Sequence, residues 1–129
     1  MDNKEVSILI VDDEEPIRRL LASYLSASYT CVTAQDAEEA KMLLAQSSFN
    51  LVLTDITMPG ASGIELCEHI NAMYKGTMVI IISARIGDQQ PNVAKQCDAF
   101  DFIAKPFDLS KVSSTVKQAL YYQSKQAAD

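Results

Sequence analysis

The chain alternates two kinds of segment, and that alternation limits the folds open to it. Short, nearly continuous apolar runs stand at 8–11, 29–33, 51–54, 78–83 and 102–104. Runs of this length with little polar alternation read as strands covered on both faces. Between them, apolar residues recur at helical spacing. Ile17, Leu20, Leu21, Tyr24 and Leu25 mark one helix, with Pro16 suited to a first helical position. Asp36 as N-cap, with Glu39 three residues on, opens a second helix carrying Ala40, Leu43 and Leu44. Leu66, Cys67, Ile70, Met73 and Tyr74 mark a third, and Leu109, Val112, Val116 and Leu120 the last, behind Asp108 as N-cap. The stretch 88–97 is the poorest, with only Val93, Ala94 and Cys97 apolar and Pro91 near its start. It predicts a short helix approached by a mobile loop. Strand and helix thus repeat five times, which implies an α/β fold with a parallel sheet and right-handed crossovers.

At 129 residues the chain has the length of one domain, expected over 1–129 with a core of about 6–120 and a polar tail at 123–129. Its net charge of −6 and lack of clustered Lys and Arg argue against direct contact with nucleic acid. The polar start, Met1 to Glu5, lacks the apolar core of a signal peptide. The longest apolar run, 78–82, is far too short to cross a membrane, so the expected location is the cytoplasm. Cys31, Cys67 and Cys97 are odd in number and widely spaced, which indicates neither zinc nor a disulfide framework. They read as small buried hydrophobes.

Open parallel sheets bind ligands beyond the carboxyl ends of their strands, so those ends are where chemistry is sought. The first run leads straight into Asp12, Asp13, Glu14 and Glu15. Adjacent carboxylates raise one another's pKa unless a cation intervenes, and Mg²⁺ favours oxygen ligands. A solvated turn, with acids favouring the next helix's N-terminus, accounts for the run equally simply. The third run leads into Asp55, followed by Ile56, Thr57, Met58, Pro59 and Gly60; with Gly63, this predicts a loop of unusual backbone angles. The fourth ends at Ser83 and the fifth at Lys105–Pro106, where the proline invites a cis peptide. Singly these are ordinary turn residues. Together, with the first and third strands adjacent and the fourth and fifth beyond, they predict one crevice. There a carboxylate attacks phosphorus while the cation, the lysine and the hydroxyl neutralise the phosphoryl oxygens.

Four motifs in order, VDDEE, LTDITMPGASG, IIISA and FIAKPF, resemble the response-regulator receiver domain of bacterial two-component systems over roughly residues 6–120. The resemblance implies a flavodoxin-like (βα)5 fold with strand order 2-1-3-4-5. It implies that Asp55 is the phosphoacceptor, and that Asp12, Asp13, Asp55 and the backbone carbonyl of Thr57 bind Mg²⁺. Ser83 would be the switch hydroxyl, Lys105 the ion pair to the phosphoryl group, Phe102 the aromatic switch, and Lys105–Pro106 a cis bond. The implied partners are a sensor histidine kinase or histidine phosphotransfer protein, and an output domain or protein partner. The face around 85–95, Phe102 and 111–122 would carry the signal, and a phosphorylation-dependent homodimer through it is open. Asp98 stands where the family usually has glycine, and aspartate tolerates a left-handed conformation better than most residues.

Three other readings meet specific obstacles. An aspartyl-nucleophile phosphatase of the haloacid dehalogenase type needs a second Asp two residues after the nucleophile, where Thr57 stands, so a signalling domain is expected and not a turnover enzyme. A flavin carrier needs a phosphate-binding loop after the first strand, where four acids stand. A degenerate, phosphorylation-independent interaction module would not need the complete acidic set and Lys105. His69, the sole histidine, reads as a solvated helix residue, so a donor histidine must come from another protein.

Overall fold

The computed structural model describes residues 5–56, 63–83 and 97–127. Its strands are β1 (Ser7–Val11), β2 (Thr30–Ala34), β3 (Leu51–Asp55), β4 (Met78–Ser83) and β5 (Asp101–Ala104). They form one parallel sheet in the order β2-β1-β3-β4-β5. Helices α1 (Glu15–Leu25), α2 (Ala37–Gln46) and α3 (Gly63–Met73) alternate with the strands, and a C-terminal helix spans Leu109–Ala127. The expected flavodoxin-like topology is therefore the observed one. The expected helix at 88–97 lies almost wholly outside the described residues.

Strand alternation divides the core in two. Leu9, Val11, Val52, Val79 and Ile81 point to one face and pack with Ala40, Leu44, Leu66 and Ile70 of α2 and α3. Ile8, Ile10, Leu51, Leu53, Ile80, Ile82 and Ile103 point to the other, against Leu21 and Leu25 of α1 and Val112, Val116 and Ala119 of the C-terminal helix. Both faces being covered is why the strands lack polar alternates. Each fully buried Leu or Ile contributes roughly 1.5–3 kcal/mol relative to exposure.

The helix starts follow local chemistry. Asp36 Oδ1 accepts from the Glu39 amide at 2.9 Å, and Glu39 Oε1 accepts from the Gln35 amide at 2.8 Å. The reciprocal bond thus reaches one residue further back than a capping box requires. Pro16 sits in the first turn of α1. That helix is rotated from the expected stripe: Leu21 and Leu25 are buried with Ala22 packed beside them, while Leu20 and Tyr24 are exposed. The five apolar positions span more of the helix than one sheet face can cover. Met73, expected in the core, is likewise exposed at the end of α3.

Cys67 and Cys97 are buried as expected, Cys67 Sγ lying 3.0 Å from the Cys97 carbonyl oxygen, and Cys31 is half-buried. Asp98 adopts φ +56°, as its position suggested. The loop expected from Pro59, Gly60 and Gly63 lies outside the described residues up to Gly63, and at Gly63 itself the structure shows a need for space. A Cβ there would lie 2.0 Å from the Asp55 carbonyl oxygen and 2.8 Å from Ile56 Cα. The Gly63 amide also donates to the Ile56 carbonyl at 3.0 Å. The first turn of α3 thus rests directly on the backbone that carries Asp55. Gly63→Ala should destabilise the protein by about 1–3 kcal/mol, the cost of overpacking, measured by urea denaturation. A loss below about 0.5 kcal/mol, the range of an ordinary surface change, would mean that this contact relaxes freely.

Candidate functional site

Three of the strand-end side chains, those of Asp12, Asp55 and Lys105, meet because the sheet brings their strands close, and Ser83 ends the strand between. Asp12 follows β1 directly, and its amide extends the ladder to the Ala34 carbonyl at 3.1 Å. Asp55 is the last residue of β3 and pairs in register with Ile82, so Ser83 ends β4 one position further on. Ser83 in turn pairs with Ala104, and the Lys105 amide donates to the Ser83 carbonyl at 2.8 Å. The Lys105–Pro106 bond is cis.

From the far side of this edge the Lys105 side chain reaches back across β4 to the carboxylates. Its Nζ donates to Asp12 Oδ2 at 3.0 Å, Glu14 Oε1 at 3.1 Å and Asp55 Oδ2 at 3.3 Å. The side chains of Asp12 and Asp55 are only 2% and 7% exposed, and that of Lys105 10%. Asp12 Oδ1 accepts from the Glu14 amide at 2.8 Å, and the Asp12 carbonyl accepts from Arg18 Nη1 at 2.7 Å. Asp12 is therefore held through both carboxylate oxygens and its backbone.

Burial raises the Asp12 carboxyl above its ordinary pKa, and the nearby Asp55 charge adds to this. The Glu14 amide and Lys105 oppose the rise without cancelling it. Burial pulls the Lys105 ammonium toward neutrality, but its hydrogen bonds to Asp12 and Glu14 and the charges of Asp12 and Asp55 outweigh that, leaving its pKa above the usual lysine range. Asp12, Asp13, Glu14 and Asp55 each offer an oxygen within 4.8 Å of the others. Four carboxylates around one ammonium leave an excess of negative charge. An oxygen-only donor set of this kind suits a hard divalent cation such as Mg²⁺.

The remaining expected site residues are placed unequally. Ser83 is buried at the crevice edge, whereas Asp13 is exposed. Phe102 pairs with Ile81 in β5 and is half-buried against the α2–α3 side of the core, below the strand ends. Thr57 and the stretch 85–95 lie outside the described residues. Two participants were not anticipated, Glu14 as a partner of Lys105 and Arg18 as a brace for Asp12. Arg18 reaches a backbone carbonyl six residues earlier and outside α1, whereas helical spacing signals only its pairing with Glu15.

The match to known proteins agrees with this geometry. The family model of the response regulator receiver domain matches residues 8–117. The response regulator protein PilR of Pseudomonas aeruginosa is 36% identical over 122 residues, covering 94% of this chain and 27% of PilR. The transcriptional regulatory protein ResD of Bacillus subtilis is 36% identical over 117 residues, covering 90% of this chain and 48% of ResD. The chain thus spans between a quarter and a half of these relatives' length. Among solved structures, a CheY-like receiver domain protein of Methanospirillum hungatei superposes with a TM-score of 0.89 at 27% identity, covering 94% of this chain and 98% of that one. The response regulator TrrA of Thermotoga maritima, solved in complex with Mg²⁺ and BeF, superposes with a TM-score of 0.80 at 32% identity, covering 89% and 99%. The chain belongs to the response regulator receiver domains of two-component signalling.

Proposed function

We propose that this receiver domain takes a phosphoryl group onto Asp55 from the phosphohistidine of a sensor histidine kinase or histidine phosphotransfer protein. The observation that carries the reading is the junction of buried Asp55 and Asp12 with a buried lysine at one strand-end crevice. A carboxylate oxygen of Asp55 attacks phosphorus, and the bond from phosphorus to the imidazole nitrogen breaks with its electron pair staying on nitrogen. Lys105 sits where its ammonium meets the phosphoryl oxygens, and Ser83 supplies a hydroxyl from the adjacent strand. Mg²⁺, held by Asp12, Asp13, Asp55 and the Thr57 carbonyl, would neutralise phosphoryl charge. Each acyl phosphate forms once per signal, so the domain acts as a switch and not as a turnover enzyme.

The new charge at the strand ends biases a two-state element. Ser83 and Phe102 lie on adjacent strands, so movement of one changes the packing of the other. The surface that reports this change comprises 85–95, Phe102 and the C-terminal helix from Lys111 to Tyr122. It addresses an output domain or protein partner, by direct binding or through a phosphorylation-dependent homodimer, and not nucleic acid. Among the described residues no helix is long and apolar enough to cross a membrane. We place the domain in the cytoplasm, with its kinase's phosphohistidine.

Intact mass after incubation with acetyl phosphate should show a Mg²⁺-dependent gain of one phosphoryl group, absent in Asp55→Ala. An Asp55→Ala protein that gained the group at the wild-type rate would refute the acceptor assignment. The raised Asp12 carboxyl gives a second expectation. A group whose pKa rises on folding stabilises most below its ordinary value of 3.8, and that stabilisation is lost as pH rises through the raised value. Asp12→Asn, which has no proton to lose, should therefore melt above the metal-free wild type at pH near neutral. The gap should close as pH falls toward 3.8. Lower stability of Asp12→Asn near neutrality would mean that the pair with Lys105 outweighs burial.

A further inference from the structure

We propose that Glu14 gates Lys105, holding the ammonium in the resting protein and yielding it when a phosphoryl group arrives on Asp55. The inference rests on the acceptor reading above. A lysine ammonium has three donors, and in this structure Asp12, Glu14 and Asp55 each accept from Lys105. A phosphoryl oxygen can gain a full hydrogen bond from it only as another partner lets go.

The three partners are not equally able to leave. Asp12 and Asp55 are buried at their strand ends, so neither carboxylate can turn out to water when the lysine shifts. The Glu14 side chain is 59% exposed, so water replaces the lysine at small cost. Its departure also leaves the local backbone intact. Glu14 occupies the N-cap position of α1, yet its side chain makes no capping hydrogen bond, and its amide rather than its carboxylate supports Asp12. Glu14 is thus the one partner whose carboxylate can swing away without disturbing the crevice. While it stays, it occupies the donor that a phosphoryl oxygen needs and repels an anionic phosphodonor.

The neighbouring Glu15 supplies an internal control. It carries the same charge and is 65% exposed, but it faces Arg19 at 3.6 Å and Arg18 at 4.0 Å instead of Lys105. The test measures phosphoryl uptake from acetyl phosphate by intact mass, across a Mg²⁺ titration, for wild type, Glu14→Gln and Glu15→Gln. At saturating Mg²⁺, Glu14→Gln should take up phosphoryl about two- to fivefold faster, the range expected for releasing one exposed ion pair. Glu15→Gln should match wild type, and the acceleration in Glu14→Gln should persist as Mg²⁺ is raised further beyond saturation.

Uptake by Glu14→Gln at or below the wild-type rate overturns the gate. An equal acceleration in both variants overturns it too, because net charge alone would then be responsible. An acceleration in Glu14→Gln that vanishes at saturating Mg²⁺ assigns the side chain to the metal and overturns the gate likewise. Absence of uptake by wild type would sink the acceptor reading and this inference together, whereas normal wild-type uptake with an unaltered Glu14→Gln would sink the gate alone.

Discussion

The Lys105 ammonium is what allows carboxylates from two strands to stand side by side in a nearly closed crevice. Without a cation, Asp12 and Asp55 would repel each other across the β1–β3 boundary while both are removed from water. The lysine reaches them from the end of β5, across the intervening strand, and bonds to both. It therefore ties three strand ends together at the point where the sheet is most strongly charged. Such an arrangement is weak evidence for stability, since taking the ions out of water offsets much of their attraction. Its value is positional, in that the nucleophile and its counter-charge are already in place.

That placement depends on the sheet being rigid beneath it. β3 lies at the centre of the strand order, flanked by β1 and β4, and its residues from Leu51 to Thr54 are fully enclosed. Asp55 emerges as the last rung of this ladder, so its backbone is fixed by pairing before its side chain enters the crevice. Gly63 adds a second restraint by letting the first turn of α3 touch the Asp55 backbone. The acidic run on the neighbouring loop is braced differently. Asp12 is held by the ladder to β2, by the Glu14 amide and by Arg18. Two carboxylates of the same chemistry thus gain their positions from unrelated local devices.

The legibility of these features in the sequence followed their range. The enclosed strands were readable from their continuous apolar runs and the cap at Asp36 from residue type and spacing, whereas the left-handed Asp98 was readable only through the glycine usual at that position in the family. The tilt of α1 was not, because Leu20 and Tyr24 are as apolar as Leu21 and Leu25, and only the position of the sheet decides which pair it covers. The contact at Gly63 was not legible either. A glycine in sequence suggests backbone freedom, and nothing in it signals that a Cβ would meet the backbone of a residue eight positions earlier.

The sequence by itself determined the alternation of strand and helix, and the kinds of residue found at each strand end. Both are written along the chain itself, where a short continuous apolar run, a period of 3.6 residues and the residue that follows each run are visible without knowing any neighbour. Tertiary structure alone decided which of the four consecutive acids meets Lys105. Asp12 and Glu14 reach it while Glu15 turns toward Arg18 and Arg19. These acids are nearly equivalent in charge and chemistry. Their different roles arise from the direction in which the turn between β1 and α1 aims each side chain, and from a lysine more than ninety residues away in the chain.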